Sequence, residues 1–330
     1  MNNTKHTAYD LIQMQSLPLE IKIRMTRERI KQWYEYWDGQ VYISFSGGKD
    51  STVLKHIVDS MYDDVPAVFV NTGLEYPEIQ KFAMSQKNVV TVRPEMRFDE
   101  VIKKYGYPVV SKEVAQTIWE AKKNVKTGKY AYRIKKLNGE LLDKNGKYSS
   151  YNIPKWKFLL DAPYDISHKC CDVMKKRPAK TYEKTTGRKA IIGTLASEST
   201  LRKTQWVKYG CNAFETKRPT SQPLSFWTEQ DILHYIKQFN VPYCSVYGNI
   251  VPDDEGTLLK TTGCDRTGCI FCMFGCHLEK EPNRFQRLKE THPRQYAYCI
   301  GGGEYVDGKW QPSKEGLGLG KVLDYINVKY

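Results

Sequence analysis

No apolar run in this 330-residue chain approaches the ~20 residues needed to cross a bilayer. The opening stretch MNNTKHTAYDLIQMQ has no apolar core of the kind a signal peptide carries, so the expected location is the cytoplasm, without a membrane partner. The complete Gly-x-x-x-x-Gly-Lys-Ser/Thr motif of a Walker loop is missing, no internal repeat is visible, and no cysteine follows Cys299. Acidic residues are in short supply, 37 against 51 lysines and arginines, which leaves a formal charge of +14 and favours polyanionic partners. With 40% hydrophobic residues the chain is not short of core material, which argues against disorder and for one substantial core with a smaller appended unit.

What the chain does have is unevenly placed. Eleven Lys/Arg fall between Lys122 and Lys157 against two acids, Glu140 and Asp143, so this stretch holds +9 of the net charge. Six of the nine cysteines fall in two groups, Cys170 with Cys171, and Cys264, Cys269, Cys272 and Cys276. In a reducing compartment such grouping points to metal or redox chemistry rather than a disulfide framework. Cys211, Cys244 and Cys299 stand alone and read as packing residues.

Residues 17–37 have apolar side chains near helical spacing and predict an amphipathic helix. A short β-rich run at 40–45 then stops at Ser46-Gly47-Gly48, and a helical pattern resumes over 51–62. Strands are expected again at 65–71, 89–92 and 189–193, with helices at 77–86 and at 228–239, the last capped by Thr228 and Asp231. This alternation predicts an α/β fold, a parallel sheet with helices on both faces, whose ligands bind at the carboxyl ends of the strands. Asn138-Gly139 and Asn145-Gly146, flanked by aromatics, predict a basic β-ribbon insertion over 122–157. The expected organisation is a helical segment at 1–37, a nucleotide-binding domain at 38–252 and a small Cys-rich C-terminal unit at 253–330.

In Ser44-Phe45-Ser46-Gly47-Gly48-Lys49-Asp50-Ser51 the glycines let backbone amides approach an anion, and the following helix directs its positive dipole end at the same point. Phosphate is the natural occupant. Lys49 would neutralise charge on a departing pyrophosphate while Ser46 and Ser51 donate to phosphate oxygens. The string SGGKDS after a buried strand resembles the PP-loop of N-type ATP pyrophosphatases, Rossmann-like proteins in which it holds the phosphates of ATP or of an adenylyl sulfate. Asn71-Thr72-Gly73-Leu74-Glu75 looks like that superfamily's aspartate-threonine-glycine-x-glutamate element, with Asn71 in place of the aspartate.

Two residues between cysteines let both sulfurs face one ion, and Cys269-Ile270-Phe271-Cys272 is such a pair within TGCDRTGCIFCMFGC. Together with Cys170-Cys171 it resembles the cysteine pattern of adenylyl-sulfate reductases, within the phosphoadenosine phosphosulfate reductase family, where a [4Fe–4S] cluster is held near the nucleotide. Cys171, Cys269 and Cys272 are the first choices as ligands, and Cys170, Cys264 and Cys276 contend for the fourth place; zinc is the alternative occupant. Ile192-Gly193-Thr194 through Arg202 looks like the family's substrate loop, and Pro223-Leu224-Ser225-Phe226-Trp227-Thr228-Glu229-Gln230-Asp231 its proline-leucine-tryptophan element.

Within that family, reductases use a cysteine nucleophile in a mobile C-terminal tail, and this tail, GLGLGKVLDYINVKY, carries none. Cys299 is the remaining candidate for that role. Lys49 and Asp50 are both present, as in ATP-cleaving members, and the resemblance extends to DNA phosphorothioation ATP pyrophosphatases. It therefore implies an enzyme cleaving ATP with Mg²⁺ to AMP and pyrophosphate and adenylating an acceptor for sulfur transfer. Lys49, Asp50 and Arg202 are the candidate catalytic residues, with Arg202 steadying the adenylated group. The expected partners are a nucleic-acid substrate on the basic insertion, a sulfur donor such as a cysteine desulfurase, and a second copy of the chain. Reduction of an adenylyl sulfate to sulfite, and a non-catalytic nucleic-acid-binding module, are the competing readings.

Overall fold

The computed structural model describes residues 4–330, the side chains of residues 124–127 excepted. The chain divides into two compact units that are interleaved in sequence. The first comprises residues 1–71, 75–93 and 178–267, and the second residues 72–74, 94–177 and 268–330.

The first unit is built on a six-stranded sheet made of β1 (Val41–Phe45), β2 (Ala67–Val70), β3 (Val89–Val92), β4 (Lys189–Ile192), β5 (Asn212–Ala213) and β6 (Thr220–Ser221). The spatial order is β3-β2-β1-β4-β6-β5, parallel throughout except for β5 against β6. Period-two alternation sends the two faces of β1 into different layers. Val41, Ile43 and Phe45 join Val53, Leu54, Ile57 and Trp227 in the main core. Tyr42 points the other way, packs with Val68 and Ala190 against Tyr182 of the helix at Arg177–Thr186, and donates its hydroxyl to Glu183 at 2.7 Å. Helices therefore cover both faces, as the βαβ rhythm predicts.

The N-terminal segment holds a short helix at Ala8–Gln15 and a longer one at Leu19–Tyr36, and the longer one is locked to this unit by polar contacts as well as by Ile30 and Trp33. Lys22 is buried and pairs with Asp231 at 2.6 Å, while Trp227 donates its indole N–H to Thr26 at 2.9 Å. Asp231 also completes a capping box with Thr228 at the start of the helix Glu229–Gln238, the cap expected from the sequence.

The second unit is largely helical, with helices at Phe98–Tyr105, Lys112–Thr127, Ala131–Asn138, Arg284–Thr291, Pro293–Ile300 and Leu319–Tyr325. The expected β-ribbon over 122–157 is not what forms. That stretch is the end of one helix, a second helix at Ala131–Asn138 and a 3-10 segment at Pro154–Asp161, with a lone bridge between Leu142 and Tyr148. Asn138-Gly139 is a helix end rather than a hairpin turn, because Gly139 takes the left-handed conformation that terminates helices. Arg133 and Lys136 turn inward there and pair with Glu120 and Glu113 of the preceding helix. Among the described residues no helix is long and apolar enough to cross a membrane.

Candidate functional site

In the strand order of the sheet, the chain leaves β1 toward β2 and β3 and then returns to place β4 on β1's other side. A crevice opens outside the carboxyl ends where an open α/β sheet reverses direction in this way. The loop after β1 and the loop after β4 both reach it. They line a cavity of about 790 Å³ through Ser44, Ser46, Gly48, Lys49, Asp50 and Ser51 on one side and Ile192 to Leu195, Ser197 and Glu198 on the other. This is the size range of small-molecule and cofactor sites.

The loop is organised by its own serines. Ser51 donates to the Gly48 carbonyl at 2.9 Å, its hydroxyl lies 3.0 Å from that of Ser46, and the Gly48 N–H donates to Ser46 at 3.3 Å. Gly47 has φ +71, and a Cβ there would press on Ile79 and Ala83. The helix Lys49–Asp59 begins immediately after, so its positive dipole end lies at the loop.

Lys49 is only 6% exposed. Its ammonium pairs with Glu229 at 2.6 Å and donates to the Asp265 carbonyl. Its backbone N–H donates to the Tyr247 hydroxyl at 3.3 Å, and that hydroxyl lies 2.7 Å from Thr267. Burial pushes the Tyr247 phenol up to about 12, so it stays protonated. Asp50 Oδ1 is buried without a hydrogen-bond partner among the described residues. Burial raises the Asp50 carboxyl above the ordinary carboxylate range, and the Lys49 charge only partly opposes this. Gly193 is required at close quarters, since a Cβ would sit 3.0 Å from the Asp50 carbonyl oxygen.

Of the residues expected from the sequence, Ser44, Ser46, Gly48, Lys49, Asp50, Ser51, Gly193 and Arg202 line this cavity, and Phe45, Gly47, Asn71, Thr72, Gly73 and Glu75 do not figure in its lining. Phe45 belongs to the core. Asn71, at the end of β2, is buried, with its side-chain amide 4.0 Å from the Met84 sulfur. The Thr72 hydroxyl accepts the Leu74 N–H at 3.1 Å. Sequence reasoning missed Glu198, Tyr247, Arg266 and Thr267, and quoted Glu229 without a role. Arg266-Thr267 directly precedes Gly268-Cys269, the one hint available; nothing local marks Tyr247.

The cysteines sort by position. Cys170, Cys171, Cys269, Cys272 and Cys276 fall in the second unit and Cys264 in the first. Cys170 donates to Cys171, which raises the Cys170 thiol; its burial and the charges of Cys171, Cys269 and Cys272 push the same way. That hydrogen bond lowers Cys171, with help from Lys112 and Lys175. Burial raises Cys272, which also feels Cys171 and Arg284. The charges of Cys171, Cys269 and Cys272 thus act on Cys170, and Lys112, Lys175 and Arg284 act on Cys171 or Cys272. Cys276 instead donates its S–H to the Met273 carbonyl at 3.0 Å. Among the described residues no three His, Cys, Asp or Glu side chains are arranged to hold a metal ion.

A parallel sheet with a glycine-serine phosphate loop at its switch point defines an α/β protein of the nucleotide-binding class. The chain belongs to the phosphoadenosine phosphosulfate reductase domain family, which matches residues 40–274. Two uncharacterized proteins of Methanocaldococcus jannaschii are similar to it, one 23% identical over 277 residues, covering 81% of this chain and 49% of its own length. The other is 24% identical over 293 residues, covering 86% and 48%. The chain thus spans about half the length of the curated relatives it matches. Among solved structures, a phosphoadenylyl-sulfate reductase from Candida auris in a phosphate complex aligns with 15% identity over 67% of this chain and 82% of that one, at a TM-score of 0.37. The FMN adenylyltransferase of Candida glabrata aligns with 13% identity over 73% and 65%, at a TM-score of 0.38.

Proposed function

We propose that the chain cleaves ATP to AMP and pyrophosphate and adenylates an acceptor so that sulfur can replace oxygen. The observation that carries this reading is Lys49, a buried ammonium at the mouth of the phosphate loop, inside the same cavity as Asp50 and Arg202. An acceptor oxygen takes the α-phosphorus, the α–β phosphoanhydride bond breaks, and pyrophosphate leaves toward Lys49 and the helix N-terminus. A sulfur nucleophile then takes the acceptor's adenylated position and AMP leaves. Mg²⁺ accompanies the triphosphate as its counterion.

The thiols of Cys170, Cys171, Cys269 and Cys272 have the donor chemistry of an iron–sulfur site, and Lys112, Lys175 and Arg284 would offset its negative charge. Such a cluster would supply sulfur or electrons to the reaction. Zinc suits the same donors. A nucleic-acid acceptor is favoured by exposed cations and rings on the second unit, among them Lys135, Lys144, Lys147, Lys155, Tyr148 and Tyr151.

The reductase alternative needs a thiol nucleophile. Cys299 is 0% exposed within the helix Pro293–Ile300, and burial pushes its thiol far up, which weighs against it in that role. Anaerobically purified protein should contain iron and, incubated with labelled ATP, Mg²⁺, sulfide as sulfur nucleophile and DNA or RNA, should release AMP and pyrophosphate in equal amounts. Release of ADP would overturn the reaction. Sulfite from labelled adenylyl sulfate, with a covalent adduct on Cys299, would replace it with the reductase reading.

A further inference from the structure

The 3-10 segment Pro154–Asp161 of the second unit alternates cations and rings in consecutive residues, Lys155-Trp156-Lys157-Phe158. Leu159 is buried and anchors the segment, while Lys155, Lys157 and Phe158 are exposed and Trp156 is half-buried. The row of rings continues into other parts of the same unit. The Trp156 ring centroid lies 5.2 Å from that of His277 and 6.0 Å from that of Phe158, and Phe158 lies 5.6 Å from Tyr325. Leu278, beside His277, leaves 76% of its surface in water. Apolar surface left contiguous and exposed in this way marks an interaction site, because water contact with it is unfavourable. We propose that this row is a stacking platform for unpaired nucleic acid, with bases on Trp156 and Phe158 and backbone phosphates on Lys155 and Lys157.

Charge selects the partner. Between Lys144 and Leu160 the chain carries four lysines, all exposed, and no acid; the nearest acids, Asp143 and Asp161, stand at either end. The surface is therefore complementary to a polyanion. The Lys155 ammonium rests over the Trp156 ring at 5.2 Å, and its exposed stem lets it pass to a phosphate as a base takes its place on the ring. A second copy of the chain fits poorly, since an isologous contact would bring the lysines of one copy toward those of the other. A duplex fits poorly as well. Its bases already stack on one another, which leaves the rings unused and only phosphates for the lysines.

The platform rests on the nucleic-acid acceptor proposed above and narrows it to unpaired strands. The test measures fluorescence anisotropy of a labelled oligothymidine, an oligouridine and a DNA duplex of the same length, with the full chain and without ATP. Wild type should bind the single strands at least about tenfold tighter than the duplex at equal salt. Trp156→Ala should weaken single-strand binding about fivefold or more, the loss expected for one base–ring stack, and leave the salt dependence unchanged. Phe158→Ala, which keeps the backbone carbonyl that Tyr325 meets, should act in the same direction and serves if Trp156→Ala fails to fold. Trp156→Phe should retain most of the affinity. The double variant Lys155→Gln, Lys157→Gln should instead reduce the slope of log affinity against log salt by about 1.4.

Equal affinity for single strand and duplex, or wild-type affinity in both alanine variants, overturns the platform. Binding to vesicles of phosphatidylcholine and phosphatidylserine, lost in the alanine variants and without binding to any strand, would overturn it in favour of a lipid surface. A dimer that the same variants dissociate, again without strand binding, would overturn it in favour of a second copy. A preference between oligothymidine and oligouridine identifies the supporting strand as DNA or RNA. Because binding is read without ATP, the two readings fail separately. Pyrophosphate release stimulated by nucleic acid without strand preference removes the platform and leaves the reaction standing, and strand-selective binding without ATP cleavage does the converse.

Discussion

Replacing Lys49 by methionine keeps the buried aliphatic stem and removes only the ammonium. Three contacts are lost, the pair with Glu229, the hydrogen bond to the Asp265 carbonyl and the approach of the ammonium to the Tyr247 ring at 5.5 Å. Glu229 is more than half exposed, so the pair itself is worth no more than about 0–1 kcal/mol. The hydrogen bond from a charged donor contributes about 1.5–3 kcal/mol, but methionine no longer has to bury an ammonium, which offsets part of it. The net loss of stability should be within about 2 kcal/mol, and the fold should survive. Catalysis is a different matter on the proposed reaction, because charge would develop on the leaving pyrophosphate beside the buried Lys49, where a preplaced donor is worth about 10²–10³ in rate. The assay pairs pyrophosphate release with a urea midpoint measured on the same preparation. Release within threefold of wild type, on a folded variant, would refute the assignment of Lys49 to the leaving group.

Other outcomes follow from the same contacts. Lys22→Ala leaves Asp231 partly buried without its cation, and should cost about 3 kcal/mol or more in urea denaturation, with the first unit losing its N-terminal helix first. Asp50→Asn should stabilise the protein at neutral pH. The folded carboxyl titrates above its unfolded value, so between the two values the folded state holds more protons and wild-type stability falls as pH rises. The lead of the variant should open as pH climbs above the ordinary carboxylate range and become constant above the folded value; a lead that shrinks with pH would contradict the burial argument. Gly193→Ala should reduce nucleotide affinity more than stability, because its methyl meets the Asp50 carbonyl at 3.0 Å and the loop must shift by a few tenths of an ångström. Unchanged affinity for α,β-methylene-ATP would show that the loop yields freely.

The sheet was legible where local pattern and burial agree. β1, β2 and β4 are short apolar runs ended by Ser46-Gly47, Thr72-Gly73 and Gly193, and the capping box of Thr228 and Asp231 is written in consecutive residues. The loop half of the cavity was legible for the same reason, since Ser46 to Ser51 are contiguous. The loop after β4 was legible through Gly193 and Arg202, but the residues that close the cavity from farther along the chain were not. Glu229, Tyr247 and Arg266 reach Lys49 and Arg202 from up to two hundred residues away in the chain, and isolated polar residues have no periodicity to betray a shared cavity. The basic insertion misled because Asn-Gly serves a helix end as well as a hairpin, and the inward turn of Arg133 and Lys136 depends on Glu120 and Glu113 being there to meet them. The interleaving of the two units likewise has no signature in composition.

The claim that the loop after β1 holds the phosphates of an adenine nucleotide is tested most directly by calorimetric titration of the full chain with α,β-methylene-ATP and Mg²⁺. Saturable one-to-one binding to wild type, weakened at least tenfold in Lys49→Met, is the expected result. Equal affinity in the two proteins, or no binding at millimolar ligand, would contradict the account.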